Sequence, residues 1–239
     1  MFTQLPISKN KESDLDAFRI VFDFDGTISD SFELVVNIVN HYADEFGYPA
    51  ASKDDITKLR NLSSREVLQV SEIPFWKMPF LIGKVKKEMN HQMIRLNPIP
   101  GMKDVLEDLK IRGCKLGILT SNSEENVRDF LKRNQMGDLF EFIYSGTTLF
   151  GKDKVLKKIL RQENIGLDRL IYVGDETRDV EAAKKMGIKA IAVSWGFNSS
   201  PALAAHNPDF LIHQPRELLQ VLGKVRGQRY QRMEVGCGV

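Results

Sequence analysis

The feature that most constrains this chain is a series of six short apolar runs. They are Ile20–Phe22, Leu116–Leu119, Phe142–Tyr144, Leu170–Val173, Ala190–Val193 and Phe210–Ile212, each bounded by turn or charged residues. They are too short for helices and rich in Ile, Val and Phe, so they are expected as buried strands. Helical spacing of apolar residues lies between the later ones. Met102–Arg112 aligns Val105, Leu106 and Leu109 and stops at Gly113, and Glu124–Arg133 follows Ser123 as N-cap. Lys154–Gln162 aligns Val155, Leu156, Ile159 and Leu160, Thr177–Met186 stops at Gly187, and Arg216–Leu222 stops at Gly223. Strands apolar along their whole length, alternating with helices, predict an α/β fold: a Rossmann-like parallel sheet covered on both faces.

The alternation is interrupted once, between the first strand and the second. Phe32, Val35, Val36, Val39, Tyr42 and Phe46 follow at helical intervals from Asp30 and Glu33, which have capping-box spacing, and Gly47 and Pro49 end that helix. Further helices fit Lys53–Leu59, Arg65–Val70 and Phe75–Leu96, and Asn97-Pro98-Ile99-Pro100-Gly101 forms a rigid connector. The expected division is an α/β core of residues 1–30 and 97–222, with 1–17 as a loose lead, and an inserted helical unit of residues 31–96. Residues 223–239, with Arg226, Arg229 and Arg232 but no periodicity, are expected as a frayed basic tail.

Composition narrows the partners. Lys plus Arg number 34 against 32 Asp plus Glu, a net charge of +2, with no basic stripe of the kind nucleic acid requires. The local lysine clusters, Lys84, Lys86, Lys87 and Lys152, Lys154, Lys157, Lys158, read as solvated helix faces. No apolar run reaches the ~18–20 residues that span a bilayer, and Met1–Ala17 is too charged for a secretory signal. Two cysteines, Cys114 and Cys237, and four scattered histidines supply neither a disulfide framework nor a transition-metal site. A cytoplasmic protein, a monomer or small homo-oligomer free of nucleic acid and membrane, is the expectation.

The chemistry concentrates where two strands end. The first runs into Asp23-Phe24-Asp25-Gly26-Thr27. Residues at i and i+2 of an extended chain face the same way, so Asp23 and Asp25 are expected together at the carboxyl end of a central strand. Such a pair is costly unless a cation or proton compensates. An Asp-Gly turn explains Asp25-Gly26 but not Asp23. The second cluster is Gly174-Asp175-Glu176-Thr177-Arg178-Asp179, where helix capping accounts for Glu176 or Asp179 but leaves Asp175 without a purpose. Ligands that are all oxygens point to Mg²⁺. Two weaker signals accompany them. Thr120 ends a strand and Ser121-Asn122-Ser123 leads into a helix, a start that suits either a phosphate or simple capping. Lys152 precedes another helix and, taken alone, reads as a surface lysine.

In order along the chain, Val21-Phe22-Asp23-Phe24-Asp25-Gly26-Thr27, Thr120, Lys152 and Gly174-Asp175 with Asp179 resemble the four motifs of the haloacid dehalogenase superfamily. The resemblance runs from about Arg19 to Leu222. The insertion is similar to that superfamily's helical cap, and Ser194-Trp195-Gly196-Phe197 with Asn207-Pro208-Asp209 is similar to its phosphoglycolate phosphatase branch. Glu176 and Arg178 depart from the usual fourth motif. The resemblance implies a phosphatase acting on a small phosphorylated metabolite. Asp23 would be the nucleophile and Asp25 the acid and then base. Thr120, Ser121, Lys152, Gly26 and Thr27 would serve the phosphate. Mg²⁺ would be held by Asp23, Asp25 through its main-chain oxygen, Asp175 and Asp179. Dehalogenation needs no leaving-group acid and no metal, so Asp25 and the Asp175/Asp179 pair count against it. A phosphomutase shares every core motif and stays open as an alternative, and a non-catalytic phosphate-binding member is a third reading. Arg60 and Arg65, in the cap, are candidates to grip a substrate carboxylate, or else are solvated helix-end charges.

Overall fold

The computed structural model describes residues 18–71, 73–145, 151–162 and 165–236. The expected lead of residues 1–17 and most of the connector before Lys152 lie outside them. All six expected strands form: β1 (Arg19–Phe22), β2 (Lys115–Leu119), β3 (Phe140–Tyr144), β4 (Leu170–Gly174), β5 (Lys189–Val193) and β6 (Phe210–Ile212). They make one sheet in the order β3-β2-β1-β4-β5-β6, with every neighbouring pair parallel. Alternate residues serve two cores. Ile20, Phe22, Leu116, Ile118, Ile171 and Val173 face one side, while Val21, Leu119, Leu170, Tyr172, Ala190 and Ala192 face the other. Burial on both faces is why these strands read as continuous apolar runs rather than alternating ones.

The insertion between β1 and β2 is helical: α1 (Phe32–His41), α2 (Ala43–Phe46), α3 (Lys53–Leu59), α4 (Ser64–Val70) and α5 (Met78–Gln92). The first expected helix is broken at Tyr42 into α1 and α2. Its N-cap is Ser31 with no side-chain cap bond, so the Asp30/Glu33 box does not form. Ser52 and Ser63 instead make reciprocal boxes with Asp55 and Glu66. The expected Phe75–Leu96 helix is a 3-10 turn, α5 and a second 3-10 turn. Ala43, Phe46, Tyr48 and Leu81 give the insertion a small core of its own.

The later helices are α6 (Met102–Ile111), α7 (Glu124–Arg133), α8 (Lys152–Gln162), α9 (Thr177–Lys185), α10 (Ser200–Ala205) and α11 (Glu217–Gly236). α6, α7 and α11 cover one face of the sheet, and α8, α9 and α10 contribute to the other core. Here the expected frayed tail is corrected: the last helix does not stop at Gly223 but continues to Gly236. Leu218, Val221, Leu222 and Val225 are all buried against the sheet. Each such burial is worth ~1.5–3 kcal/mol, against ~1 kcal/mol lost per mid-helix glycine, so packing overrides Gly223 and Gly227.

Candidate active site

The strand order reverses direction between β1 and β4, and a sheet wound this way opens a crevice beyond the carboxyl ends of its strands at that point. Asp23 lies there. Its N–H donates to Val173 O at 2.8 Å, so the β1–β4 ladder runs one bond past β1. The chain then turns sharply. Gly26 has φ of 74°, and a Cβ there would stand 2.4 Å from Asp175 Oδ2. Only glycine combines that conformation with that approach.

Lys152, 129 residues from Asp23 in sequence, is buried at the first turn of α8. Its Nζ donates to Asp23 Oδ2 and to Asp179 Oδ1, both at 2.6 Å. Asp23, Asp175 and Asp179 bring carboxylate oxygens within 4.8 Å of one another, all buried. Thr27 Oγ1 donates to Asp175 Oδ1 at 2.7 Å, and the Phe197 N–H donates to Asp175 Oδ2 at 2.7 Å. Tyr172 hydroxyl and the Glu176 N–H hold Asp179. The hydroxyl of Thr27, expected among the phosphate groups, thus bonds Asp175 in this structure. The Gly26 N–H is likewise used inside the turn, on Ser29 O and Ser31 Oγ.

Burial raises the Asp23 carboxyl to about 7, although Lys152 pulls it down. Asp175 is pushed well above the carboxylate range by burial and by the charges of Glu176, Asp23 and Asp179. Burial alone would lower Lys152, but Asp179 and Asp23 outweigh it and keep the ammonium charged. Three carboxylates thus face one ammonium. With all three carboxyls ionised the cluster would exceed the Lys152 charge by two, and that excess with a donor set of oxygens only fits a divalent hard cation such as Mg²⁺.

Asp25 does not join the carboxylate cluster. Its side chain accepts from Asn122 Nδ2 at 3.1 Å, and the Asn122 N–H donates to Thr120 Oγ1 at 3.0 Å. Burial raises Asp25, opposed by its Asn122 and Ser31 hydrogen bonds. Desolvation is the largest of these influences. Thr120 is buried, Ser121 is half-buried beside it, and Ser123 caps α7 through Asn126 N. Asn122 as partner of Asp25 was not legible in the sequence, since 97 residues separate them.

The insertion meets the core beside this cluster. Arg60 Nη2 donates to Gly196 O at 2.8 Å and its Nε to Phe197 O at 3.3 Å, while its guanidinium stacks 4.8 Å over Phe32. Arg60 is therefore committed to the core rather than held out for a carboxylate, whereas Arg65 is exposed. The unusual fourth-motif residues pair with each other, Arg178 with Glu176, and Glu176 Oε2 accepts from Ser64 Oγ of α4 at 2.8 Å. Burial opposes the Glu176 charge, but Arg178 and Lys152 prevail and its pKa is lowered.

Carboxylates around a buried lysine at the switch point of a parallel sheet are the arrangement of a phosphatase-class hydrolase site. The chain belongs to the haloacid dehalogenase-like hydrolase family, whose sequence profile matches residues 20–193. It is 39% identical over 209 residues to a phosphoglycolate phosphatase of Synechococcus elongatus, covering 87% of this chain and 99% of that one. Its fold is similar to a haloacid dehalogenase-like family protein of Streptococcus pneumoniae, with a TM-score of 0.72, 22% identity, and 87% and 99% of the two chains covered. A Thermotoga maritima protein assigned as a beta-phosphoglucomutase has the same fold at a TM-score of 0.62 and 24% identity, with 87% and 99% covered. Among the described residues no helix is long and apolar enough to cross a membrane.

Proposed function

We propose that this chain is a Mg²⁺-dependent, cytoplasmic phosphatase that hydrolyses a small carboxylate-bearing phosphate monoester of the phosphoglycolate type through an aspartyl-phosphate. The observation that carries the chemistry is the contact of Lys152 with both Asp23 and Asp179 beside Asp175. The likeness to the Synechococcus enzyme supports the substrate class.

An Asp23 carboxylate oxygen attacks phosphorus and the ester P–O bond breaks. Asp25, whose carboxyl desolvation shifts towards its protonated form and which Asn122 orients, gives its proton to the leaving oxygen. Asp25, now a base, takes a proton from the water that attacks the phosphorus of the aspartyl-phosphate, releasing phosphate and restoring Asp23. Lys152 and the Thr120 hydroxyl stabilise the transferring oxygens, with the Ser121 side chain at the rim. Asp23, the Asp25 main-chain oxygen and Asp175 would hold Mg²⁺, with Asp179 orienting that shell and Lys152. When bound, the ion supplies positive charge against the phosphate and the attacking carboxylate. The insertion, residues 31–96, acts as the cap that excludes water during attack.

The test is a panel of phosphorylated small acids and sugars assayed with Mg²⁺, together with acid quenching to trap a hydroxylamine-sensitive phosphoprotein. A carboxylate-bearing monoester is expected to lead in kcat/KM, and label is expected on wild type but not on Asp23→Asn. A sugar phosphate leading the panel, or label on Asp23→Asn, overturns the substrate or the nucleophile respectively.

A further inference from the structure

Asn198 is 5% exposed and uses its whole side chain. Its Oδ1 accepts the Thr177 N–H at 2.9 Å, at the start of α9. Its Nδ2 donates one hydrogen to Arg60 O at 3.1 Å and the other to Leu62 O at 2.8 Å, both in the insertion. The same insertion loop is bound again from either side. Ser199 N–H donates to Arg60 O at 2.8 Å, Ser199 Oγ to Asn61 Oδ1 at 2.5 Å, and the Arg60 guanidinium to Gly196 O and Phe197 O. Every core partner in this set lies on the segment Gly196–Ser199 or at the start of α9.

That segment also grips Asp175. The Phe197 N–H donates to Asp175 Oδ2, the Asn198 N–H donates to Asp175 O at 3.3 Å, and a Cβ on Gly196 would stand 2.1 Å from Asp175 Oδ2. A loop packed this closely cannot shift without moving the carboxylate. Its Gly196 and Phe197 carbonyls accept from Arg60, and the Asn198 Nδ2 donates to Arg60 O and Leu62 O, all in the insertion. Undocking the insertion would hand these groups to water and remove these direct ties, so the docked insertion restrains the loop's arrangement.

We infer that Asn198 and Arg60 are positioning residues that couple docking of the helical insertion to the placement of Asp175, and hence to the strength of the metal site. This rests on the proposed Mg²⁺ site, and it goes beyond it by assigning metal affinity in part to two residues that touch no metal. A cap that merely covers the substrate would change substrate capture and leave the metal site alone. A cap that also sets Asp175 makes the site fully formed only while closed.

The test measures Mg²⁺ binding to the full chain by titration calorimetry, without substrate, in wild type, Asn198→Asp, Arg60→Ala and Asp175→Asn. Asn198→Asp keeps the acceptor for Thr177 N–H and removes both donors to the insertion. Arg60→Ala removes the bonds to Gly196 O and Phe197 O and the stack on Phe32 but touches no strand of the sheet, so it keeps the core sheet. Both are expected to weaken Mg²⁺ about three- to tenfold, and kcat at subsaturating Mg²⁺ should recover at high Mg²⁺ while KM for a small aryl phosphate changes little. Thermal unfolding of each variant verifies that the fold is retained. A Mg²⁺ affinity in Arg60→Ala and Asn198→Asp within twofold of wild type, with Asp175→Asn clearly weakened, overturns the coupling. Wild type that binds no Mg²⁺ overturns the metal reading itself, which is a different result.

Discussion

Replacing Lys152 by Met removes the one cation that touches two of three clustered carboxylates while keeping the length of the side chain. Removing one member of a buried ion pair costs ~3–5 kcal/mol when the other stays charged, and here two partners are stranded. The cost must depend on pH, because the stranded groups can take up protons. With Lys152 present, burial already holds Asp23 at about 7 against 3.8 for an unperturbed carboxylate. Between those values the native state keeps a proton that the unfolded chain has released, so Asp23 makes stability fall as pH rises through that window. Without Lys152 the native pKa moves higher still, and the window extends upward. The Lys152→Met variant should therefore lie closest to wild type at the acid end, below about pH 5, where native Asp23 holds its proton in both proteins. The gap should widen towards the full ~3–5 kcal/mol by about pH 8. Urea unfolding in EDTA across this range measures it, and Mg²⁺ should narrow the gap by restoring positive charge. Turnover at neutral pH should fall by at least ~10²–10³-fold. A stability gap that stays constant with pH, or is widest at the acid end, would refute the charge-compensation argument and leave Lys152 as packing.

Four further outcomes are expected. Activity should vanish with EDTA and return with Mg²⁺, while Ca²⁺ restores it poorly because its larger shell misplaces the nucleophile, as steady-state assays after dialysis would reveal. Asp25→Asn should slow turnover yet still label with an aryl phosphate whose leaving group needs no proton, visible as phosphoprotein after quenching. Asn122→Ala frees the Asp25 carboxyl from its 3.1 Å bond, so it should cost about ten- to a hundredfold with alkyl phosphates and much less with aryl ones. Arg65→Ala should weaken a carboxylate-bearing phosphate far more than an aryl phosphate, whereas Arg60→Ala, being engaged with Gly196 and Phe197, should affect both alike, as paired kcat/KM values would show.

Much of the fold was legible because strands buried on both faces must be apolar at every position, a pattern that turn residues then punctuate. The helical insertion was legible for the complementary reason: its apolar residues recur at helical intervals between Gly and Pro stops. Where a boundary depended on packing, the pattern misled. Gly223 reads as a stop, yet α11 passes through it because Val225 beyond the glycine is buried in the same core as Leu222. The Asp30/Glu33 spacing satisfied a capping rule, but Ser31 occupies the cap position and its hydroxyl serves the Gly26 N–H instead.

The site divides along the same line. Sequence alone determined that Asp23 and Asp175 would each end a buried strand, that their donors would be oxygens, and that a sharp turn at Gly26 would follow, since each depends on residues adjacent in the chain. It could not determine that Lys152 is a buried partner of Asp23 rather than one more surface lysine, because its local neighbours are lysines and its true partners lie 129 and 27 residues away. Nor could it determine that Asn122 holds Asp25, that the Thr27 hydroxyl bonds Asp175, or that Arg60 fastens the insertion to the loop gripping Asp175. Only tertiary structure decided these, because a polar side chain removed from water must find a partner, and which partner is set by what the folded sheet brings within about 3 Å, not by what the chain places next to it.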